Sequence, residues 1–192
     1  LVAGAALGLG AVGLWDDVMK FRRPNAAGLR RWPRLAAALG IGGGIGAAMT
    51  AGPSPWRALT IPWMPQALDL GWAWIPFAML VTAGCAHAVN LTDGMDGLAP
   101  GCLAIAFAAL GLMALGGAPH HEALVPWCAS LAGACMGFLW FNSFPASIML
   151  GDVGALGLGG ALAAVGLLTQ TALLLVIVGG VFATLAPEVP MR

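Results

Sequence analysis

Charged side chains are scarce in this sequence. Its 192 residues include only eight Lys and Arg and eight Asp and Glu, and the formal net charge is zero. There is no basic tail and no interleaving of basic with aromatic residues, so nothing in the composition indicates a nucleic-acid partner. The four cysteines lie inside apolar runs without Cys-x-x-Cys spacing, which predicts small buried residues rather than disulfides or metal ligands.

Apolar residues are abundant instead, at 60% of the chain, and they form runs close to the ~20 residues that a helix needs to cross a bilayer. Because lipid offers backbone groups no hydrogen-bond partner, these runs are predicted to be helices. We therefore predict an all-α polytopic transmembrane bundle and treat residues 1–192 as a single membrane domain. One partial span and about six further spans are expected, at 1–15, 35–52, 71–89, 98–117, 123–141, 147–168 and 171–186.

Two shorter segments are informative within this pattern. The proline- and tryptophan-rich segment 53–70 is predicted to be an interfacial loop or short hairpin, with its tryptophans at headgroup depth. The GLGG at 157–160 has the composition of a phosphate-binding loop, but it lies inside an apolar run. We therefore expect it to allow close helix packing.

The distribution of basic residues predicts the orientation. Six of the eight Lys and Arg lie between positions 20 and 34, so the polar segment after the first run is expected to be cytoplasmic. Two crossings separate this segment from the motif at 90–99, and two more separate that motif from Asp152. Parity therefore puts all three acidic motifs on one face, whereas Asp69 and Glu122 fall on the opposite face.

The acidic motifs hold five of the eight carboxylates. A polar loop that carries acids by chance is the plain alternative, but carboxylates are costly near lipid and favour a functional hypothesis. Clustered carboxylates repel one another unless a cation lies among them, and Mg²⁺ prefers such oxygen ligands. The basic segment beside them suits a phosphate or diphosphate, so phosphoryl transfer is predicted. These carboxylates belong to Asp16, Asp17, Asp93, Asp96 and Asp152.

The motifs WDDVMK, NLTDGMDGLA and FNSFPASIMLGDVGALGLGG resemble, in order and spacing, the signatures of the polyprenyl-phosphate N-acetylhexosamine-1-phosphate transferases. The runs IPWMPQALDLGWAWIPFAMLVTAG and GFLWFN resemble the bacterial phospho-N-acetylmuramoyl-pentapeptide transferase (translocase I) branch. The resemblance implies a Mg²⁺-dependent glycosyl-1-phosphate transferase of the bacterial inner (plasma) membrane, active on the cytoplasmic face. Its reaction moves phospho-N-acetylmuramoyl-pentapeptide from UDP to undecaprenyl phosphate, yielding UMP and lipid I for peptidoglycan synthesis. It also implies a homodimer.

Site residues follow from the resemblance position by position. Asp152 matches the Mg²⁺-binding aspartate, and Asp16 and Asp17 match the catalytic pair that positions or deprotonates the lipid phosphate. Whether one of the pair acts as base or as nucleophile stays open. The remaining matches imply substrate-binding roles, at the diphosphate for Lys20 and around the nucleoside-sugar pocket for Asn90, Asp93, Asp96, Asn142 and Met149.

The sequence departs from the family pattern at several places. Met149 stands where the family usually has a Phe expected to stack on uracil, His87 where it has Asn, and Ala155 where it has Ser. The chain starts without Met inside an apolar run and ends in ATLAPEVPMR, where the family continues to a His-rich cytoplasmic loop. We therefore expect a fragment that turns over poorly by itself.

Two competing functions remain open from the sequence. The first is a sister enzyme that transfers N-acetylglucosamine-1-phosphate from UDP to a polyprenyl phosphate, and it is disfavoured by LDLGWAWIPF and NLTDGMDG. The second is a cation transporter, which would keep its acids inside its spans rather than at the ends of the runs. The UDP-sugar from which UMP is released distinguishes the sister enzyme from the phospho-N-acetylmuramoyl-pentapeptide transferase.

Overall fold

The computed structural model describes residues 1–22, 31–52, 58–60, 68–117 and 119–175. Within these ranges six helices are long and apolar enough to cross a membrane, which confirms the predicted all-α polytopic bundle. Their bounds are α1 Val2–Arg22, α2 Arg31–Ala51, α3 Trp74–Thr92, α4 Leu98–Leu115, α5 Val125–Asn142 and α6 Gly151–Leu168. Two short 3-10 helices, Gly71–Ala73 and Pro119–Leu124, precede α3 and α5.

The helix ends differ from the apolar runs in one way that matters for function. The first helix continues through the polar residues after Trp15 and ends at Arg22, beyond the end expected at residue 15. The acidic pair therefore lies on a helix instead of in a loop. The prediction from hydropathy placed the end of this helix too early, because hydropathy does not detect helical residues that extend beyond the apolar layer of the membrane.

Two other predictions fall partly outside the described residues. The segment at 53–70 contains a short antiparallel pair, β1 (Ala58–Leu59) with β2 (Leu68–Asp69), in which Ala58 lies opposite Asp69. This pairing agrees with the predicted hairpin, while residues 53–57 and 61–67 are outside the description. Of the last predicted span, 171–186, only residues 171–175 are described.

Helix α6 is the centre of the bundle. It packs against α1 on one side and α3 on the other, α2 packs on α3, and α4 pairs with α5. Glycines allow the close approach: a Cβ added to Gly159 would lie 2.7 Å from the Cα of Ala86, and one added to Gly160 would lie 3.0 Å from the carbonyl oxygen of Ala5. The GLGG segment therefore serves helix packing, as expected.

The element order places the acidic motifs together. The C-terminal ends of α1, α3 and α5 and the N-terminal ends of α2, α4 and α6 share one end of the bundle. Asp69, on β2, precedes the N-terminal end of α3, and Glu122, on the second 3-10 helix, follows the C-terminal end of α4. Both residues therefore belong to the opposite end of the bundle. The parity predicted from the sequence is therefore reproduced by the fold, and it brings chain segments distant in sequence to one site.

Candidate active site

Three carboxylates form the centre of the site. Asp16 and Asp17 lie near the end of α1, and Asp152 lies in the first turn of α6. One oxygen from each lies within 4.8 Å of the others, and Asp16 is fully buried. Close contact between α1 and α6 produces this arrangement, since Gly13 of α1 lies directly against the backbone of Asp152. Three acids so close together require positive charge between or beside them.

Two cations supply that charge in the structure. Lys20 is one turn beyond Asp16 on α1, and its Nζ lies 2.7 Å from Asp16 Oδ2 and 3.9 Å from Asp17 Oδ1. The same ammonium pairs with Asp152 Oδ2. Arg34 reaches in from the start of α2, with its Nη1 3.4 Å from Asp152 Oδ2 and 3.6 Å from Asp16 Oδ2. The acids and cations thus form one network across three helices.

Arg34 is a site residue that the sequence analysis did not single out. It was one of six basic residues in a segment assigned to the cytoplasmic face, and nothing in its immediate neighbourhood separates it from the other five. Its position at the start of α2, the helix that packs on α3, carries it to the acids. The packing of α2 on α3 is what would have identified Arg34 as a site residue, and this packing cannot be read from the local sequence.

Asn90 completes the surroundings of Asp152. Its Nδ2 donates a hydrogen bond to Asp152 Oδ1 from the last turn of α3. Asp152 is therefore contacted from three helices, through Lys20, Arg34 and Asn90. A hydrogen bond from an Asn amide orients the carboxylate oxygens without adding charge. Residues that hydrogen-bond to metal ligands commonly orient them in this way.

Two carboxylates, one of them from the central three, hold the N-terminus of α6. Asp93 Oδ2 accepts a hydrogen bond from the backbone N–H of Gly151 at 2.9 Å, and Asp17 Oδ2 accepts one from Val153 at 3.2 Å. The first N–H groups of a helix have no partner within it, and acceptors from other segments stabilise them. Asp17 and Asp93 thus fix the helix end that carries Asp152.

Asp93 is electrostatically unusual. Burial raises the pKa of its carboxyl group from 3.8 to about 6; the Gly151 hydrogen bond opposes this increase, and the charges of Asp152 and Asp17 add to it. A hydrogen bond to the charged form is therefore outweighed by desolvation and by like charge. The carboxyl group changes its protonation state close to the physiological range.

Asn142 joins the two loops that flank the site. It is fully buried at the end of α5, where its Oδ1 accepts from the Gly97 N–H at 2.9 Å and its Nδ2 donates to the Ile148 carbonyl at 2.8 Å. Asp96 adds a parallel link, since its Oδ2 accepts from the Ala146 N–H at 3.1 Å. The turn at 93–97 is thereby tied to the loop at 143–150. Direct substrate contact by Asn142 or Asp96 stays a prediction.

The three departures from the family pattern occupy different surroundings. Met149 is about half exposed in the loop before α6, and its sulfur lies 3.7 Å from Asn142 Nδ2. The Nδ1 of His87 lies 2.9 Å from the Ala83 carbonyl of its own helix. Ala155 is fully buried on α6. The predicted role of Met149 in the nucleoside pocket stays a prediction.

An apolar groove lies beside the acids. It runs between α1 and α6, encloses a volume of about 450 Å³ and includes Gly10, Leu14, Val153 and Gly157 in its lining. Leu14 lies one helical turn before Asp17 on α1, and Val153 follows Asp152 on α6, so one end of the groove is near the charged cluster. Its surface is almost wholly hydrocarbon, which suits a lipid chain rather than a polar ligand.

The family model of glycosyl transferase family 4 matches residues 1–170, a range that contains every described site residue. The chain belongs to glycosyl transferase family 4. Within this family, curated relatives named phospho-N-acetylmuramoyl-pentapeptide-transferase are similar along almost the whole chain.

Three of these family 4 relatives give the extent of the similarity. The protein of Methylacidiphilum infernorum is 38% identical over 202 residues, which cover 96% of this chain and 55% of the relative. The protein of Thermodesulfovibrio yellowstonii is 40% identical over 97% of this chain and 56% of its own length. The protein of a Nostoc species is 42% identical, with coverages of 94% and 48%. The chain spans about half the length of these relatives.

The acidic cluster fits the divalent cation that the family resemblance implies. The three carboxylate oxygens from Asp16, Asp17 and Asp152 are hard ligands, and their separations allow one small cation to contact all of them. They are flanked by cations suited to phosphate oxygens. These residues fit Mg²⁺ held by a few carboxylates together with substrate phosphates.

Proposed function

We propose that this chain forms the catalytic part of a phospho-N-acetylmuramoyl-pentapeptide transferase. The reaction transfers phospho-N-acetylmuramoyl-pentapeptide from UDP to undecaprenyl phosphate and releases UMP and lipid I on the cytoplasmic face of the bacterial plasma membrane. The observation that supports it most is the convergence of Asp16, Asp17 and Asp152 within 4.8 Å beside Lys20 and Arg34. Family membership and the names of the relatives support the substrate class.

The chemistry requires two phosphates to meet at this cluster. An oxygen of the lipid phosphate attacks the phosphorus attached to the sugar, and the bond from that phosphorus to the UMP oxygen breaks. Mg²⁺ bound by the acidic cluster would neutralise charge that develops on the phosphate oxygens. Lys20 and Arg34 bind and orient the same oxygens, and Asn90 holds Asp152 in place. In this direct transfer Asp16 and Asp17 are the candidates for the base that deprotonates the lipid phosphate. If one of them were instead the nucleophile, its carboxylate would first displace UMP and the lipid phosphate would then displace the carboxylate.

The apolar groove supports a lipid acceptor. A polyprenyl phosphate has a charged head and a long hydrocarbon chain, so its site needs cations beside an apolar surface open to lipid. The groove between α1 and α6 has one end near Asp17 and Asp152 and has that character. A cation transporter is less well supported, because its acids would lie inside the spans rather than at one end of the bundle.

Purified full-length protein, reconstituted with undecaprenyl phosphate and Mg²⁺, provides the test. We expect UMP release from UDP-N-acetylmuramoyl-pentapeptide and little from UDP-N-acetylglucosamine. The opposite preference would support the sister enzyme that transfers N-acetylglucosamine-1-phosphate. No UMP from either donor, in protein that is folded and binds lipid, would reject the proposed reaction.

A matched pair of variants tests the site itself. Asp152→Asn keeps the side-chain shape but removes the charge, and we expect a loss of turnover of about 10²- to 10³-fold, the range for one charge-stabilising group. Glu122→Gln removes an acid at the other end of the bundle and serves as the control. Near-normal turnover of Asp152→Asn with an unchanged Mg²⁺ dependence would show that the acid is not a metal ligand.

A further inference from the structure

Arg34 and Lys20 share one oxygen of Asp152. Both cations contact Asp152 Oδ2, and the other oxygen, Oδ1, accepts the hydrogen bond from Asn90. The same two cations also contact Asp16 Oδ2. One oxygen of Asp152 and one oxygen of Asp16, two of the three acids that could hold a divalent cation, are thus already paired with side-chain cations of this chain.

A divalent cation and these two side chains compete for the same oxygens. Three carboxylates and two side-chain cations leave the cluster with one net negative charge. Binding of a divalent ion would give the cluster one net positive charge, and release of one side-chain cation from the carboxylates would relieve the resulting repulsion. A side-chain cation that has left the carboxylates can then bind an anion such as a phosphate.

The geometry favours Arg34 as the side chain that moves. Its contacts of 3.4 and 3.6 Å with Asp152 and Asp16 are longer than the roughly 2.7–2.9 Å of strong charge-assisted hydrogen bonds. Lys20 is the more exposed of the two, at 43% against 20% for Arg34, but its contacts with Asp16 and Asp152 are the shorter ones, so the choice of Arg34 rests on contact length. A planar guanidinium at the surface of the cluster also matches two oxygens of a phosphate.

We propose that Arg34 is a phosphate-binding residue that is held on Asp152 and Asp16 in the metal-free enzyme and released to the substrate phosphates when a divalent cation binds. The proposal rests on the proposed function for the identity of those phosphates. It makes metal binding and phosphate binding cooperative, since each ligand favours the same arrangement of Arg34. It also means that Arg34 weakens metal binding but strengthens phosphate binding. A residue that only supported the carboxylates would not have these opposite effects.

The test measures both ligands on the full-length enzyme in detergent. Mn²⁺ binding is followed by electron paramagnetic resonance, and UMP binding by calorimetry with and without Mn²⁺. For Arg34→Gln we expect Mn²⁺ to bind more tightly, and UMP affinity to fall on the order of tenfold with Mn²⁺ but little without it, as for the loss of one charge-assisted hydrogen bond. Arg34→Lys, which keeps the charge, should retain tighter UMP binding with Mn²⁺ than without it.

Arg22→Gln is the matched control. Arg22 is an exposed arginine at the end of α1 and has no ion pair among the contacts of the described residues. Its replacement should change neither affinity. Thermal unfolding of each variant establishes that it is folded. If Arg34→Gln does not fold, Arg34→Lys is compared with the wild type: an ammonium cannot bind two phosphate oxygens as a guanidinium does, so UMP affinity should be lower than in the wild type with Mn²⁺ and equal to it without Mn²⁺.

Three outcomes would overturn the proposal. Unchanged or weaker Mn²⁺ binding by Arg34→Gln would mean that Arg34 only supports the carboxylates. An equal loss of UMP affinity with and without Mn²⁺ would mean that Arg34 is always available to phosphate. Tighter Mn²⁺ binding by Arg34→Gln with unchanged UMP affinity would mean that Arg34 only repels the metal and does not bind phosphate. Failure of UMP to bind the wild type would count against the proposed function, while the Mn²⁺ measurement would still test the release of Arg34.

Discussion

The carboxylate of Asp152 connects four helices. It lies on α6 and is contacted by Lys20 from α1, Arg34 from α2 and Asn90 from α3. Its two oxygens have different partners, cations on one and an amide on the other. One side chain therefore links the charge balance of the site to the way the bundle is assembled, and a change at any of its partners alters both.

Asp93 provides a pH-dependent test at the residue scale. Burial raises its pKa in the folded protein from 3.8 to about 6. Between these values the folded state retains a proton that the unfolded state has lost, so the free energy of unfolding decreases as pH rises through this window. Asn at this position has no proton to lose. We expect Asp93→Asn to lose less thermal stability than the wild type between pH 4.5 and 7.

Thermal unfolding in detergent at several pH values measures this difference. Asp69→Asn, at the other end of the bundle, corrects for the general effect of removing an acid. Parallel pH profiles for the wild type and Asp93→Asn would show that Asp93 titrates at an ordinary value in the folded protein.

At the scale of elements, the contact between α1 and α6 sets the site. A Cβ added to Gly13 would stand 2.2 Å from the carbonyl oxygen of Asp152, a distance that forces the helices apart. We expect Gly13→Ala to destabilise the protein by about 1–3 kcal/mol, the usual cost of overpacking, and to abolish turnover by moving Asp152 from Asp16 and Asp17.

Gly4→Ala on the same helix is the control for Gly13→Ala. No atom lies within 4 Å of a Cβ at position 4, so this change should leave activity intact and raise helix propensity slightly. Unfolding temperature and UMP release are measured for both variants. Equal activity of the two would mean that the helices separate without disturbing the carboxylates.

The loops on either side of the site depend on Asn142 in the same way. Asn142→Ala removes the partner of the half-buried Gly97 N–H and of the Ile148 carbonyl; the cost is up to about 1–3 kcal/mol for a group that stays buried and smaller for exposed Ile148, which water can reach. We expect a lower unfolding temperature together with weaker binding of the UDP-linked donor, because the turn at 93–97 is no longer tied to the loop at 143–150.

Ser143→Ala is the neighbouring control for Asn142→Ala. Ser143 is exposed, and its hydroxyl donates only to Leu139 on its own helix among the described contacts. Its replacement should leave stability and KM close to the wild-type values. A normal unfolding temperature for Asn142→Ala with a raised KM would instead assign Asn142 to direct substrate contact.

At the scale of the whole molecule, the topology determines which face holds the site. Cysteines introduced at positions 26 and 143 in a background without native cysteines should react with a membrane-impermeant maleimide only from the cytoplasmic side. A cysteine at position 120 should react from the outside, because a single membrane crossing separates it from position 143. Labelling of positions 26 and 143 from opposite sides would contradict the shared site.

The sequence by itself determined the class of the molecule and the set of acids that share a face. Both follow from local properties, since the length of each apolar run predicts a span and the number of spans predicts the side of each loop. The family motifs added roles for Asp16, Asp17 and Asp152 before any contact was known. These predictions needed only the order of residues along the chain.

Only the tertiary structure decided which side chains meet and how. The extension of α1 to Arg22, the arrival of Arg34 beside Asp152 and the bonding of Asn142 to two backbone segments were not predicted from the sequence. They depend on the rotation and spacing of packed helices, which small contacts such as Gly13 against Asp152 determine. Hydropathy and parity place residues on a face of the membrane, whereas helix packing decides which of them are within bonding distance.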